Sequence, residues 1–148
     1  MNSASVRIAD EAPATVYNTE SKPGKLNLQN DCIILNDDNF ASAIQEINEH
    51  MNQYNGKRIE LTGFVYKNLM IENNEFVPAR MLMWCCSADL QPIGLLCRYD
   101  KTPSLKRTAW VKVSGLIKVV DYRGQKTPVI YADQVVNTDK PRDEYVYP

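Results

Sequence analysis

The chain has 148 residues, a formal net charge of -1 and a hydrophobic fraction of 44%. These values are typical of one globular domain that is large enough to bury a core. The near-neutral overall charge gives no electrostatic footprint for nucleic acid or anionic lipid, although it allows local basic patches. No run approaches the ~18 apolar residues of a membrane-spanning helix, and the polar start of the chain is not a secretory signal peptide.

The first 30 residues predict a flexible arm or linker. They are polar and are interrupted by Pro13, Pro23 and Gly24, which disfavour regular structure. A short apolar run at 32–35 then predicts a strand. We therefore expect one folded domain over residues 31–148.

One amphipathic helix is predicted at about residues 39–55. Polar residues just before it offer an N-cap, and Gly56 provides a stop signal. Apolar residues recur on one face at helical spacing, namely Phe40, Ile44, Ile47, Met51 and Tyr54. Because the opposite face is polar, the helix is expected to lie on the surface of a larger core.

The remainder of the chain predicts five strands. Alternating apolar and polar residues between turn signals mark them at 57–66, 76–86, 93–99, 110–122 and 128–136. The first and fourth share a pattern with a glycine in mid-strand, Gly63 and Gly115. Such glycines mark bulges or bends, which a small closed barrel needs at its corners. The expected fold class is therefore mainly β, a five-stranded OB-like β-barrel with one flanking helix, and a flatter sheet is the alternative.

A cluster of chemically reactive side chains lies between the second and third predicted strands. Cys85 and Cys86 are adjacent, and Asp89 follows them closely. If the chain turns here, these side chains and Cys97 would supply thiolate and carboxylate ligands to a zinc ion. The spacing matches neither a standard zinc finger nor a disulfide scaffold, so inert cysteines are the alternative. For Cys32 and Cys97 a core role is favoured, because free cysteine is among the most buried residue types.

Two other classes of function leave weaker signals. A cysteine nucleophile usually needs a histidine, and the chain has only His50, so we expect no enzyme and no catalytic residue. An OB barrel can instead bind single-stranded nucleic acid on exposed aromatic rings. The candidate rings are Phe64, Tyr66, Trp110, Tyr122 and Tyr131. Packing is their more common role, and the near-neutral charge gives no strong nucleic-acid signal.

Residues 56–148 resemble the C-terminal soluble domain of the YcgQ-like family of predicted permease-associated membrane proteins. The stretches that carry the resemblance are 56–67, 85–89, 110–115 and 145–148. The double cysteine followed by Ala-Asp is the most specific of them. The predicted helix before the first barrel strand also fits the family.

The resemblance implies a non-enzymatic accessory or ligand-binding domain whose partner is a membrane permease. It also implies a link to metal handling, with zinc as the candidate ion, and it maps the family's cysteine pair and acidic residue onto Cys85, Cys86 and Asp89. Family members usually carry hydrophobic N-terminal segments. We therefore expect membrane association through a segment missing from this chain, on an undetermined side, whereas the chain itself is expected to be soluble.

Overall fold

The computed structural model describes residues 27–29, 32–68, 71–84 and 90–148. In chain order the elements are β1 (Asn27–Gln29), β2 (Cys32–Ile34), α1 (Phe40–Glu49), α2 (Met51–Tyr54), β3 (Arg58–Tyr66), β4 (Glu75–Leu82), β5 (Gln91–Ile93), β6 (Leu96–Arg98), β7 (Trp110–Tyr122), β8 (Gln125–Asn137) and β9 (Tyr145–Val146). Within the predicted arm, residues 1–30, only β1 belongs to the described residues. The flexibility of this arm therefore stays a prediction.

Five strands close into a mixed barrel, which confirms the predicted fold class. The ring runs β3–β4–β6–β8–β7 and back to β3, and only the β6–β8 pair in it is parallel. Strands β1 and β2 extend the sheet beside β3, while β5 and β9 pair with β4. The alternative of a flatter, open sheet is wrong because both edges of the five-stranded set find a partner.

The two glycine-containing strands pair with each other. In the antiparallel register of β3 and β7, Leu61 lies opposite Val113 at the centre of the paired residues. A Cβ atom on Gly63 would lie 2.6 Å from the backbone carbon of Pro78 on β4. A Cβ atom on Gly115 would meet the backbone of β8, and the ladder has a bulge at that point. Each glycine therefore lets its strand approach the next strand of the ring, as the sequence predicts.

The third predicted strand, 93–99, is interrupted and forms both β5 and β6. These two strands pair with β4 in one continuous antiparallel register. That register places Pro78 opposite Leu95, where proline has no N–H group to donate to the ladder. The second predicted strand, 76–86, also ends earlier than expected, at Leu82.

The predicted helix is confirmed but is divided in two. His50 has φ -128° and ψ 44°, which is outside the helical region, and it separates α1 from α2. The apolar face of α1 packs into the same core as the inner face of the barrel. Its buried apolar residues are Phe40, Ala41, Ala43, Ile44 and Ile47.

Arg80 of β4 joins three separate parts of the chain. Its side chain is 2% exposed and forms an ion pair of 3.0 Å with Asp37, just before α1. It also donates a 2.6 Å hydrogen bond to the carbonyl oxygen of Asp143 in the C-terminal tail. The guanidinium lies 5.7 Å from the ring centroid of Phe40 and 5.6 Å from that of Trp110. A buried arginine thus connects the start of α1, the barrel and the tail.

We expect Gly63→Ala to lower the free energy of unfolding by about 1–3 kcal/mol, because the backbone of β4 must move to accept the methyl group. Chemical denaturation measures this loss. Thr62→Ala is the matched control, since Thr62 is the half-buried neighbour on the same strand. Equal losses for the two variants would contradict the close approach of β3 and β4.

We expect Arg80→Met to lower the free energy of unfolding by about 2 kcal/mol through loss of hydrogen bonds made by a charged group. Arg58→Met is the control, because Arg58 pairs with Asp133 at 3.0 Å but both side chains are largely exposed. Exposed pairs contribute at most about 1 kcal/mol. A larger loss for Arg58→Met than for Arg80→Met would show that the buried arginine is not the connecting group.

Candidate functional site

Three of the four predicted metal ligands, Cys85, Cys86 and Asp89, lie outside the described residues. Their flanks are described: β4 and β5 pair antiparallel, with Leu82 opposite Gln91, so the motif belongs to the connection between these strands. Strand β9 pairs in parallel with the same end of β4. In the chain, the motif therefore follows the end of β4 that pairs with β9 of the C-terminal tail.

Cys97, the fourth predicted ligand, lies in β6 and is fully buried in the barrel core. Burial raises the pKa of the Cys97 thiol, so the thiolate that zinc prefers is disfavoured there. This location supports the core role that the sequence favours for Cys97. Among the described residues no group of three or more His, Cys, Asp or Glu side chains is placed to hold a metal ion. The ligand set of Cys85, Cys86, Asp89 and Cys97 stays a prediction.

Cys32 is half-buried in β2, opposite Arg58 of β3. Burial, followed by the nearby carboxylate of Glu60, raises the pKa of the Cys32 thiol, whereas Arg58 lowers it to a smaller extent. Cys32 is therefore held mainly as a neutral thiol.

The aromatic rings predicted as a stacking platform gather on the outer face of the barrel. Four of them, Phe64, Tyr66, Tyr122 and Tyr131, are half-buried against a second apolar cluster. That cluster consists of Val77, Ala79, Leu96 and Val129, all at most 1% exposed. The fifth ring, Trp110, contacts Phe64 edge to face at 5.6 Å. The rings thus share one surface, where they also cover apolar residues.

Four side chains form a row across this outer face, which we call the polar ladder: Glu75, Arg98, Tyr131 and Lys118. They come from β4, β6, β8 and β7, which are consecutive around the ring. Glu75 lies directly opposite Arg98, and Arg98 lies directly opposite Tyr131. The Nε of Arg98 donates to Glu75 at 3.1 Å and its Nη1 donates to the hydroxyl of Tyr131 at 2.7 Å. Cross-strand pairing therefore holds Arg98 from two sides.

The side chain of Glu75 is 1% exposed, and its carboxylate accepts three hydrogen bonds. Besides Arg98, it accepts hydrogen bonds from the Tyr122 hydroxyl at 3.0 Å and from the backbone N–H of Glu72 at 2.9 Å. Burial, together with the hydrogen bond to Glu75, raises the pKa of Tyr122 to about 12. The Tyr122 hydroxyl therefore stays protonated and donates, which ties the end of β7 to β4.

The sequence predicted Tyr122 and Tyr131 as exposed functional rings, but it did not point to Glu75, Arg98 or Lys118. Each of the missed residues occupies an outward position of a strand, where a charged side chain is ordinary. Only the register between β4, β6, β8 and β7 brings them together, and alternation within one strand carries no information on register.

The structure has no helix, within the described ranges, that is long and apolar enough to cross a membrane.

Comparison with known proteins identifies the family of this chain. The family model described as the DUF1980 C-terminal domain matches residues 11–148. The chain is 30% identical over 117 residues to UPF0703 protein YcgQ of Bacillus subtilis (strain 168), which covers 78% of this chain and 41% of that protein. It is also 30% identical over 112 residues to the "Putative two-component membrane permease complex subunit" of Streptococcus mutans serotype c. That match covers 74% of this chain and 40% of the relative.

The chain therefore spans about two fifths of the length of these curated relatives. The family match covers most of the chain and includes all the stretches that carry the resemblance seen in the sequence. This chain belongs to the DUF1980 C-terminal domain family, the YcgQ-like group that its double-cysteine motif and paired glycine strands predict.

Proposed function

We propose that this chain is a non-enzymatic accessory domain of a membrane permease complex. The observation that carries the proposal is its 30% identity to a relative named as a subunit of such a complex. Association with the membrane would then come from a part of the protein outside this chain. The closed barrel suits this role because it provides a stable unit with most of its strand edges paired.

Among the described residues, the contacts of Cys97 and His50 support a non-enzymatic role. Cys97 is fully buried in the core. His50 lies 3.4 Å from Glu46 at the end of α1, and Glu46 also accepts a 2.7 Å hydrogen bond from the Tyr54 hydroxyl. Cys97 therefore packs in the core, and His50 contacts Glu46 at the end of α1. A catalytic site instead needs several groups aimed at one reacting atom.

Copurification tests the permease assignment. The protein is tagged at native expression level in its own host and purified from detergent-solubilised membranes after cross-linking. We expect one integral membrane transporter subunit to copurify in near-stoichiometric amount, since obligate complexes survive purification. An unrelated tagged membrane protein is the control. Recovery of no membrane transporter above that control would contradict the assignment.

We further propose that this accessory domain binds zinc through Cys85, Cys86 and Asp89. The support is the spacing of two potential thiolates and a carboxylate within the connection between β4 and β5, together with the family resemblance. Thiolate ligands must lose their protons to bind, so affinity should fall as the pH is lowered.

Elemental analysis after reduced, chelator-free purification tests this site. We expect about one zinc per chain, which is lost in the double variant Cys85→Ser/Cys86→Ser. Cys32→Ser is the matched control, because Cys32 is a half-buried cysteine of β2 and lies outside the connection between β4 and β5. Absence of metal from the wild-type chain, or equal loss in the control, would contradict the zinc site and leave protein contact as the role of the domain.

Binding of single-stranded nucleic acid is the second candidate, favoured by the aromatic rings on the outer face of an OB-like barrel. We rank nucleic-acid binding below the permease function because cationic side chains already lie over two of the rings. Arg98 and Lys118 contact the ring of Tyr131, and Arg123 contacts that of Tyr122. A stacked base would have to displace them.

A further inference from the structure

Two positive charges converge on one aromatic ring of the outer face. The Cζ of Arg98 lies 5.5 Å from the ring centroid of Tyr131, and the Nζ of Lys118 lies 5.1 Å from the same centroid. They reach it from β6 and β7, the two strands that flank β8. The quadrupole of the ring attracts each cation, but the two like charges still repel one another.

The protein supplies one carboxylate to these two cations. Glu75 pairs with Arg98, and the ion pairs among the described residues include none to Lys118. Glu75 is buried and accepts its other hydrogen bonds from Tyr122 and a backbone N–H group rather than from Lys118. The polar ladder therefore carries an excess positive charge, although the whole chain has a formal charge of -1.

Several hydrogen-bond donors of the polar ladder make no hydrogen bond to the described part of the chain. The side chain of Arg98 is 31% exposed, and within the described part of the chain no hydrogen bond uses its Nη2. Because the hydroxyl of Tyr131 accepts from Arg98, its own proton is available to a further acceptor. Lys118 adds an exposed ammonium group with three donors. These donors are the kind that tetrahedral oxyanions accept from.

We propose that the polar ladder binds a phosphate group on the outer face of the barrel. Glu75 and Tyr131 hold the guanidinium of Arg98 in place, so little conformational freedom is lost when it binds. The phosphate would bridge Arg98 and Lys118 and remove their mutual repulsion. The site is formed by Arg98 of β6, Tyr131 of β8 and Lys118 of β7. It is independent of the permease and zinc assignments.

A titration of the full chain with inorganic phosphate, followed by backbone amide NMR at low ionic strength, tests the site. We expect saturable shifts centred on the polar ladder. Lys118→Gln should weaken binding by about fivefold or more, because it removes a charged donor. Lys112→Gln is the matched control: Lys112 is also an exposed residue of β7, but it pairs with Glu60 at 3.0 Å. It should leave the affinity unchanged.

Cosedimentation with vesicles separates the two sources of a phosphate group. If the natural ligand is a phospholipid headgroup, the chain should sediment with phosphatidylcholine vesicles that contain phosphatidylglycerol, and Lys118→Gln should abolish this. If the ligand is soluble, inorganic phosphate should bind whereas the vesicles do not. Absence of saturable phosphate binding, or equal weakening by the Lys118 and Lys112 variants, would overturn the proposal.

Discussion

The architecture depends on the close approach of backbones at two glycines. Gly63 and Gly115 lie in β3 and β7, two paired strands of similar sequence, and each leaves room for the backbone of the next strand in the ring. A methyl group at Gly63 would lie 2.6 Å from a backbone carbon of β4. These approaches help the ring to close, because each strand must leave one neighbour and turn toward another.

Closure divides the side chains into an inner and an outer set. Alternate residues of a strand point to opposite faces, so Ile130 enters the core while its neighbours Val129 and Tyr131 face outward. The outer set is unusual in carrying an apolar cluster of its own. The rings that cover it also provide the surface on which Arg98 and Lys118 meet. The polar ladder is thus a consequence of how the barrel closes.

The second organising contact is the buried Arg80. It links the start of α1 to the tail through Asp37 and the carbonyl group of Asp143, and the tail then continues into β9 beside β4. The connection that contains the double cysteine follows the same end of β4. Contacts of Arg80 and β9 therefore fix the strand from which the motif emerges. A buried arginine with several hydrogen bonds is suited to this because each contact restrains a different segment.

Local pattern in the sequence determined the five strands of the barrel, the helix and the two mid-strand glycines. These features depend on periodicity and on residue types that act within a few positions, such as alternation in β7 and the mid-strand Gly115. The tertiary structure alone decided the interruption of the third strand opposite Pro78 and the assembly of Glu75, Arg98, Tyr131 and Lys118 into one row. The reason is that register and closure are long-range: they are set by which strands pair, and a single strand's pattern is compatible with many partners.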